Sequence, residues 1–129
     1  MQAEQARTIR VVVIEDHDDF REGMYRILEG TEGFRCVGKY ASLEEALPRI
    51  PEADIVLLDI NLPGLSGMEI LRRVKALHPE MRVVMVTGLD YNELREEAKR
   101  CGATAYVTKP FDFSDLTWSA VLGWTSELH

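Results

Sequence analysis

Apolar positions follow two alternating rhythms along this chain. Ile9–Ile14 reads I-R-V-V-V-I, a β-branched run followed by two acids, which predicts a buried strand. Phe20, Met24, Ile27 and Leu28 then recur at helical spacing. That helix should start near Asp18, where Asp18 and Asp19 suit the positive end of the helix dipole, and leave at Gly30. Phe34–Tyr40 reads as a weaker strand. Ser42 and Glu45 form an S-x-x-E capping box that opens a helix, and Pro48 must shorten or kink it because proline cannot donate to the Glu44 carbonyl. Ile55–Leu58 is a second strongly apolar strand, ending on Asp59, and Asn61–Gly64 (N-L-P-G) is a turn signature. Ser66 with Glu69 repeats the capping box before a helix with an apolar face of Ile70, Leu71, Val74 and Leu77, ended by Pro79. Val83–Val86 is the next apolar strand, running into Thr87 and Gly88. Leu94, Ala98 and Cys101 mark one face of a helix that Gly102 stops. Ala103–Thr108 is a fifth short strand before Lys109-Pro110, and a final helix starts near Asp112 and runs through Leu116, Val121 and Leu122, with Gly123 its weak spot.

Strand and helix therefore alternate five times. Continuous apolar strands in that order predict an α/β fold: a doubly wound five-stranded parallel sheet, (βα)5, with helices on both faces and right-handed crossovers. Ligands of such sheets sit outside the carboxyl ends of the strands. Glu15 and Asp16 follow the first strand, Asp59 ends the third, Thr87 follows the fourth and Lys109 the fifth. Three carboxylates, a hydroxyl and an ammonium thus converge on one edge. Carboxylates so close repel one another, and a hard divalent cation relieves the repulsion. Lys109 offers a compact positive charge to a phosphoryl oxygen, Thr87 a neutral donor, and a central carboxylate can attack phosphorus to form an aspartyl phosphate.

Composition narrows the partners. The 129 residues carry 15 Lys plus Arg against 22 Asp plus Glu, a net charge of −7. That balance disfavours direct binding to nucleic acid or to an anionic membrane. No apolar run approaches the ~18 residues of a membrane span, and the polar start shows no signal-peptide core. Cys36 and Cys101 lie outside any CxxC pair, which argues against zinc and for buried thiols in a reducing cytosol.

The motifs V-V-V-I-E-D-H, I-V-L-L-D-I-N-L-P-G-L-S-G, V-V-M-V-T-G and G-A-T-A-Y-V-T-K-P-F together resemble the receiver domain of two-component response regulators, from Val11 to about Val121. The resemblance implies a flavodoxin-like strand order 2-1-3-4-5, and the length then accommodates a receiver over 9–125, a polar extension over 1–8 and no output domain. It implies that Asp59 accepts a phosphoryl group from the phosphohistidine of a sensor histidine kinase or phosphotransfer protein. Mg²⁺, with Mn²⁺ able to replace it, would be held by Glu15, Asp16, Asp59 and the backbone carbonyl of Asn61. Thr87, Gly88 and Lys109 would contact the phosphoryl group, and Thr87 and Tyr106 would act as the switch. The readout would be a protein partner or a homodimer formed through the face of the fourth helix, fifth strand and fifth helix. Such a domain is cytoplasmic and catalyses only its own phosphorylation and dephosphorylation. The resemblance also implies a cis Lys109-Pro110 bond, which costs about 0.5–1 kcal/mol at proline.

The chain departs from the family pattern in three places. Its acidic pair is Glu-Asp rather than Asp-Asp, Gly88 stands where Ala is usual, and the apolar Leu89 would shield an acyl phosphate from water. Three other readings compete. One is a receiver fold that no longer phosphorylates. Another is an Asp-nucleophile phosphohydrolase of the haloacid dehalogenase type, although D-I-N at Asp59 lacks that family's second acid. The third is a flavodoxin- or cobalamin-type binding module, against which the acids of 15–19 and the position of His17 argue. Tyr106 reads either as a half-buried core aromatic or as a two-position switch, His17 as a residue on the rim of the site, and Trp118 and Trp124 as core or interface. The run Arg95-Glu96-Glu97 with Lys99-Arg100 reads as a solvated helix face. Phe20-Arg21-Glu22-Gly23 resembles receivers of the NarL type, whereas Lys109-Pro110-Phe111 resembles other subfamilies.

Overall fold

Successive side chains of a strand point to opposite faces, so an unbroken apolar strand needs cover on both sides. The computed structural model, which describes residues 8–59, 67–87 and 92–108, builds this arrangement. At Asp59, Thr87, Val107 and Thr108 the description is of the backbone alone. The elements are β1 (Ile9–Ile14), α1 (Asp18–Glu29), β2 (Phe34–Tyr40), α2 (Leu43–Ala46), a 3-10 turn (Ile50–Glu52), β3 (Ile55–Asp59), α3 (Gly67–Leu77), β4 (Arg82–Thr87), α4 (Asn92–Arg100) and β5 (Ala105–Thr108). The strands form one sheet in the order β2-β1-β3-β4-β5, and every pairing is parallel. The final helix read from 112 onward and the extension over 1–7 lie outside the described residues.

The alternation sorts the core into two layers. Val12, Ile14, Val56, Leu58, Val83 and Met85 face α2, α3 and α4 and pack with Leu43, Leu71 and Val74. Val11, Val13, Ile55, Leu57, Val84 and Val86 face the other way and pack with Met24 and Leu28 of α1. Each fully buried aliphatic side chain contributes roughly 1.5–3 kcal/mol. These two layers hold the strands, and therefore the functional edge, in a fixed register.

Several local readings are refined. On α1, Phe20, Met24 and Leu28 line up four residues apart and pack inward, whereas Ile27 lies at the margin of that stripe and is exposed. On α3, Ile70, Leu71 and Val74 are buried, but Leu77 is 58% exposed. Leu77 is the helix's last residue, at the rim where the chain turns through Pro79 toward β4. Pro48 does cut α2 to a single turn. Its capping box is displaced: Ser42 Oγ accepts from Glu45 N–H, but Glu45 Oε1 accepts from Ala41 N–H rather than from the cap residue itself. Gly30 ends α1 in a right-handed conformation, and the left-handed turn comes at Gly33, with φ 94°. Gly102, with φ 101°, does use glycine's freedom to leave α4. That turn delays β5 to Ala105, two residues later than the apolar pattern suggested.

The edge strand β2 is tied down rather than buried. Its register on β1 skips Val37, a bulge that brings Gly38 opposite Val12. A Cβ at 38 would meet the outer atoms of the Tyr40 ring 2.5 Å away, so a larger residue there would force that ring to move. Lys39 Nζ donates to both carboxylate oxygens of Glu22 on α1, at 2.6 and 2.7 Å, and sits 4.1 Å above the Tyr25 ring. The Lys39 hydrogen bonds hold the Glu22 carboxyl below its ordinary range. Cys36 and Cys101 are half-buried rather than fully buried. Burial pushes the Cys36 thiol up, and its Sγ donates to the Gly38 carbonyl. Among the described residues no helix is long and apolar enough to cross a membrane.

Candidate functional site

Parallel pairing brings the carboxyl ends of the strands to one edge. Ile14 pairs with Leu58, so Glu15 follows β1 in step with Asp59 at the end of β3. Asp59 pairs in turn with Val86, one residue before Thr87, and Thr87 pairs with Thr108. β3 is the central strand, with β1 on one side and β4 on the other. The backbone thus brings Glu15, Asp16, Asp59 and Thr87 onto adjacent strand ends. Asn61, Gly88 and Lys109 lie outside the described residues, and Lys109 directly follows the end of β5 in sequence.

The first acids have unlike surroundings. Glu15 has no exposed surface, whereas Asp16, the next residue, is exposed. Burying a carboxylate costs several kcal/mol unless dipoles or charges compensate, and part of the compensation is local. Glu15 Oε2 accepts from the His17 backbone N–H at 3.1 Å. Its own N–H donates to the Tyr40 carbonyl at 2.9 Å. Its carbonyl accepts from Arg21 Nη1 at 2.8 Å. The buried acid therefore also braces the loop that carries Asp16.

His17 has a definite structural task that composition did not indicate. It is the N-cap of α1, its Nδ1 accepting from the Phe20 N–H at 3.3 Å. Arg21, read in the sequence only as part of Phe20-Arg21-Glu22-Gly23, has such a task as well. Its i, i+3 pairing with Asp18 was legible in the spacing, but its reach back to the Glu15 carbonyl was not, because that contact exists only once β1 and α1 are packed.

Tyr106 sits on β5, opposite Met85 of β4, half-buried against the α2–α4 layer. The Arg95 guanidinium of α4 lies 4.7 Å from its ring centroid. The charged run of α4 is therefore not uniformly solvated. Arg95 stacks on Tyr106 and Glu97 Oε2 accepts from Arg72 Nη2 of α3 at 3.0 Å, while Glu96, Lys99 and Arg100 are exposed.

The donors available at this edge suit a hard cation. Among the described residues these are the oxygens of Glu15 and Asp16, a pair rather than a cluster of three, with one carboxylate inside the protein and one open to water. Mg²⁺ prefers this setting, because it takes one or two carboxylates and keeps several waters. An open depression among the described residues lies elsewhere, at the opposite end of the strands, and is lined by Pro51, Leu77, His78, Pro79 and Met81 among others.

Comparison with known proteins agrees with this geometry. The chain is 38% identical over 103 residues to the response regulator GacA of Pseudomonas viridiflava, covering 78% of this chain and 48% of that protein. It thus spans about half the length of the curated relatives it matches. Among solved structures it is similar to a two-component response regulator of the LuxR family from Aurantimonas sp. SI85-9A1, with 32% identity, a TM-score of 0.81, and 91% of this chain and 86% of that one covered. It is also similar to the receiver domain of the response regulator NarL from Mycobacterium tuberculosis, with 29% identity, a TM-score of 0.82, and 93% and 98% covered. The model of the response regulator receiver domain matches residues 11–120 of the 129, and the chain belongs to that family of two-component signalling domains.

Proposed function

We propose that this receiver is a phosphorylation-controlled switch in which Asp59 is the phosphoryl acceptor. The observation that carries the reading is the placement of Asp59 at the end of the central strand, between the Glu15–Asp16 exit of β1 and the Thr87 end of β4. The donor is a phosphohistidine on a sensor kinase or phosphotransfer protein. An Asp59 carboxylate oxygen attacks phosphorus in line. The new P–O bond forms as the P–N bond breaks, and the electron pair leaves with the donor imidazole. Glu15, Asp16, Asp59 and the Asn61 carbonyl would hold Mg²⁺, which when bound supplies positive charge against the phosphoryl oxygens. Lys109 offsets further negative charge, Thr87 donates a hydrogen bond to a phosphoryl oxygen, and the Gly88 backbone gives the loop room to close.

Movement of Thr87 toward the phosphoryl group opens space for Tyr106 and biases the packing of the α4–β5 side, the surface for a partner or a second copy. The domain acts on its own aspartate and has no independent substrate. Its net charge of −7 makes direct contact between this segment and DNA unfavourable. The test is incubation with Mg²⁺ and a small phosphodonor such as acetyl phosphate, followed by intact mass. One added phosphoryl group is expected in the wild type and none in Asp59→Ala. A wild type that gains no adduct would overturn the proposal, and an Asp59→Ala variant that gains one would move the acceptor elsewhere.

A further inference from the structure

The Glu15 carbonyl lies at the point where the β1 ladder ends, and the acceptor it presents there is taken up by a side chain. Arg21, one turn into α1, reaches back with Nη1 to this oxygen at 2.8 Å. Its Nη2 donates to Asp18 Oδ1 at 2.6 Å, and its backbone N–H donates to the His17 carbonyl at 2.9 Å. The Arg21 side chain is only 16% exposed, whereas that of its partner Asp18 is 83% exposed. One planar guanidinium therefore spans the loop, fastened to the strand exit on one side and to the helix start on the other. A rigid fork does this with both donors fixed in one plane, which an ammonium cannot do.

The carbonyl that Arg21 holds belongs to the peptide unit joining Glu15 to Asp16. Peptide units are planar, so holding that oxygen sets the tilt of the unit that joins the two acidic residues and limits the backbone rotation on which their side chains turn. We infer that Arg21 is a positioning residue for the cation site, keeping the Glu15 and Asp16 carboxylates in the orientation that binds the metal. This rests on the reading of those two residues as Mg²⁺ ligands.

Two effects of opposite sign compete when Arg21 is removed. Losing the brace weakens binding, and losing a positive charge near the site strengthens it. The brace dominates, because the Asp18 carboxylate that Arg21→Gln leaves unpaired is 83% exposed, and water and salt screen its pull on the cation. Arg21 touches the ligands' backbone and not their carboxylates, so the contact given up is an orienting one. Partners that orient metal ligands are typically worth 10–100-fold in affinity.

The experiment is calorimetric titration of Mg²⁺ into the full chain and its Arg21→Gln and Arg21→Lys variants, with folding checked by circular dichroism and thermal midpoints taken without metal. Both variants should raise the Mg²⁺ dissociation constant by about tenfold. Their phosphorylation should need correspondingly more Mg²⁺ but approach the wild-type rate at saturation. Arg21→Lys keeps the charge and most of the volume, so it carries the test if Arg21→Gln does not fold. A lowered thermal midpoint with an unchanged dissociation constant would make Arg21 merely structural and overturn the inference. Tighter binding in Arg21→Gln with no change in Arg21→Lys would show a charge effect and overturn it equally. A wild type that binds no Mg²⁺ would overturn the ligand reading itself, and this inference with it.

Discussion

The helix that follows the Asp59 strand gives a paired test of the packing, because α3 carries two leucines that the sequence treats alike. Leu71 has no exposed surface and packs with Val56, Leu58 and Val83, while Leu77 is 58% exposed at the helix end. Truncating a buried leucine to alanine removes its transfer free energy and leaves a cavity, at a cost of about 2–5 kcal/mol. Domains of this size are held by about 5–15 kcal/mol in total, so Leu71→Ala removes a large share. At about 3–5 °C per kcal/mol for this length, the thermal midpoint should fall by roughly 6–25 °C. Leu77→Ala loses little buried area and gains helix propensity, so its stability should stay within about 0.5 kcal/mol of the wild type. The assay is thermal and urea unfolding of the three proteins followed by circular dichroism. Comparable losses in the two variants, or a larger loss at Leu77, would refute the assigned face of α3 and with it the layer beneath β3.

Two further outcomes are expected. The Glu22 carboxyl is depressed by its Lys39 hydrogen bonds, so its contribution is present above the unfolded-state value and is lost as pH falls through the lower folded-state value. Glu22→Gln should therefore be less stable than the wild type at neutral pH, with the gap closing in acid. Urea midpoints across that range check this, and a gap that widened on acidification would contradict it. Arg95→Ala removes the guanidinium 4.7 Å from the Tyr106 ring, a contact worth about 0.5–1 kcal/mol where partly exposed. If Tyr106 has two positions, their ratio should move about 2–5-fold away from the one seen here. NMR of the Tyr106 ring reads that shift, and unchanged ring signals would count against Arg95 as its restraint.

The strand ends were the most legible part of this protein. A β-branched run such as Ile9–Ile14 or Ile55–Leu58 declares itself by composition, and in a parallel sheet the residue after it must fall on the common edge. Glu15, Asp16, Asp59 and Thr87 could therefore be assembled from one-dimensional spacing, and the motifs around them carried the family resemblance. Helix existence was legible for the same reason, since Ser42, Pro48 and Gly102 act on their own few neighbours. Which face of a helix is buried was less so. Ile27 and Leu77 are as apolar as Leu28 and Leu71, and only the position of the sheet relative to each helix leaves the first pair in water.

What tertiary structure alone decided are contacts between elements. The complete burial of Glu15 beside an exposed Asp16 depends on how β1 enters the sheet. Arg21 reading as a brace rather than a surface charge depends on α1 folding back over the end of β1. The Arg95 guanidinium over Tyr106 and the bulge at Val37 each require two segments to meet. Sequence periodicity records what each residue prefers to contact, water or the interior, within a few positions along the chain. Which partner it meets there is set by the packing of distant segments. The acids at the strand ends were therefore determined by the chain itself, while the supports that orient them emerged only when the sheet was closed.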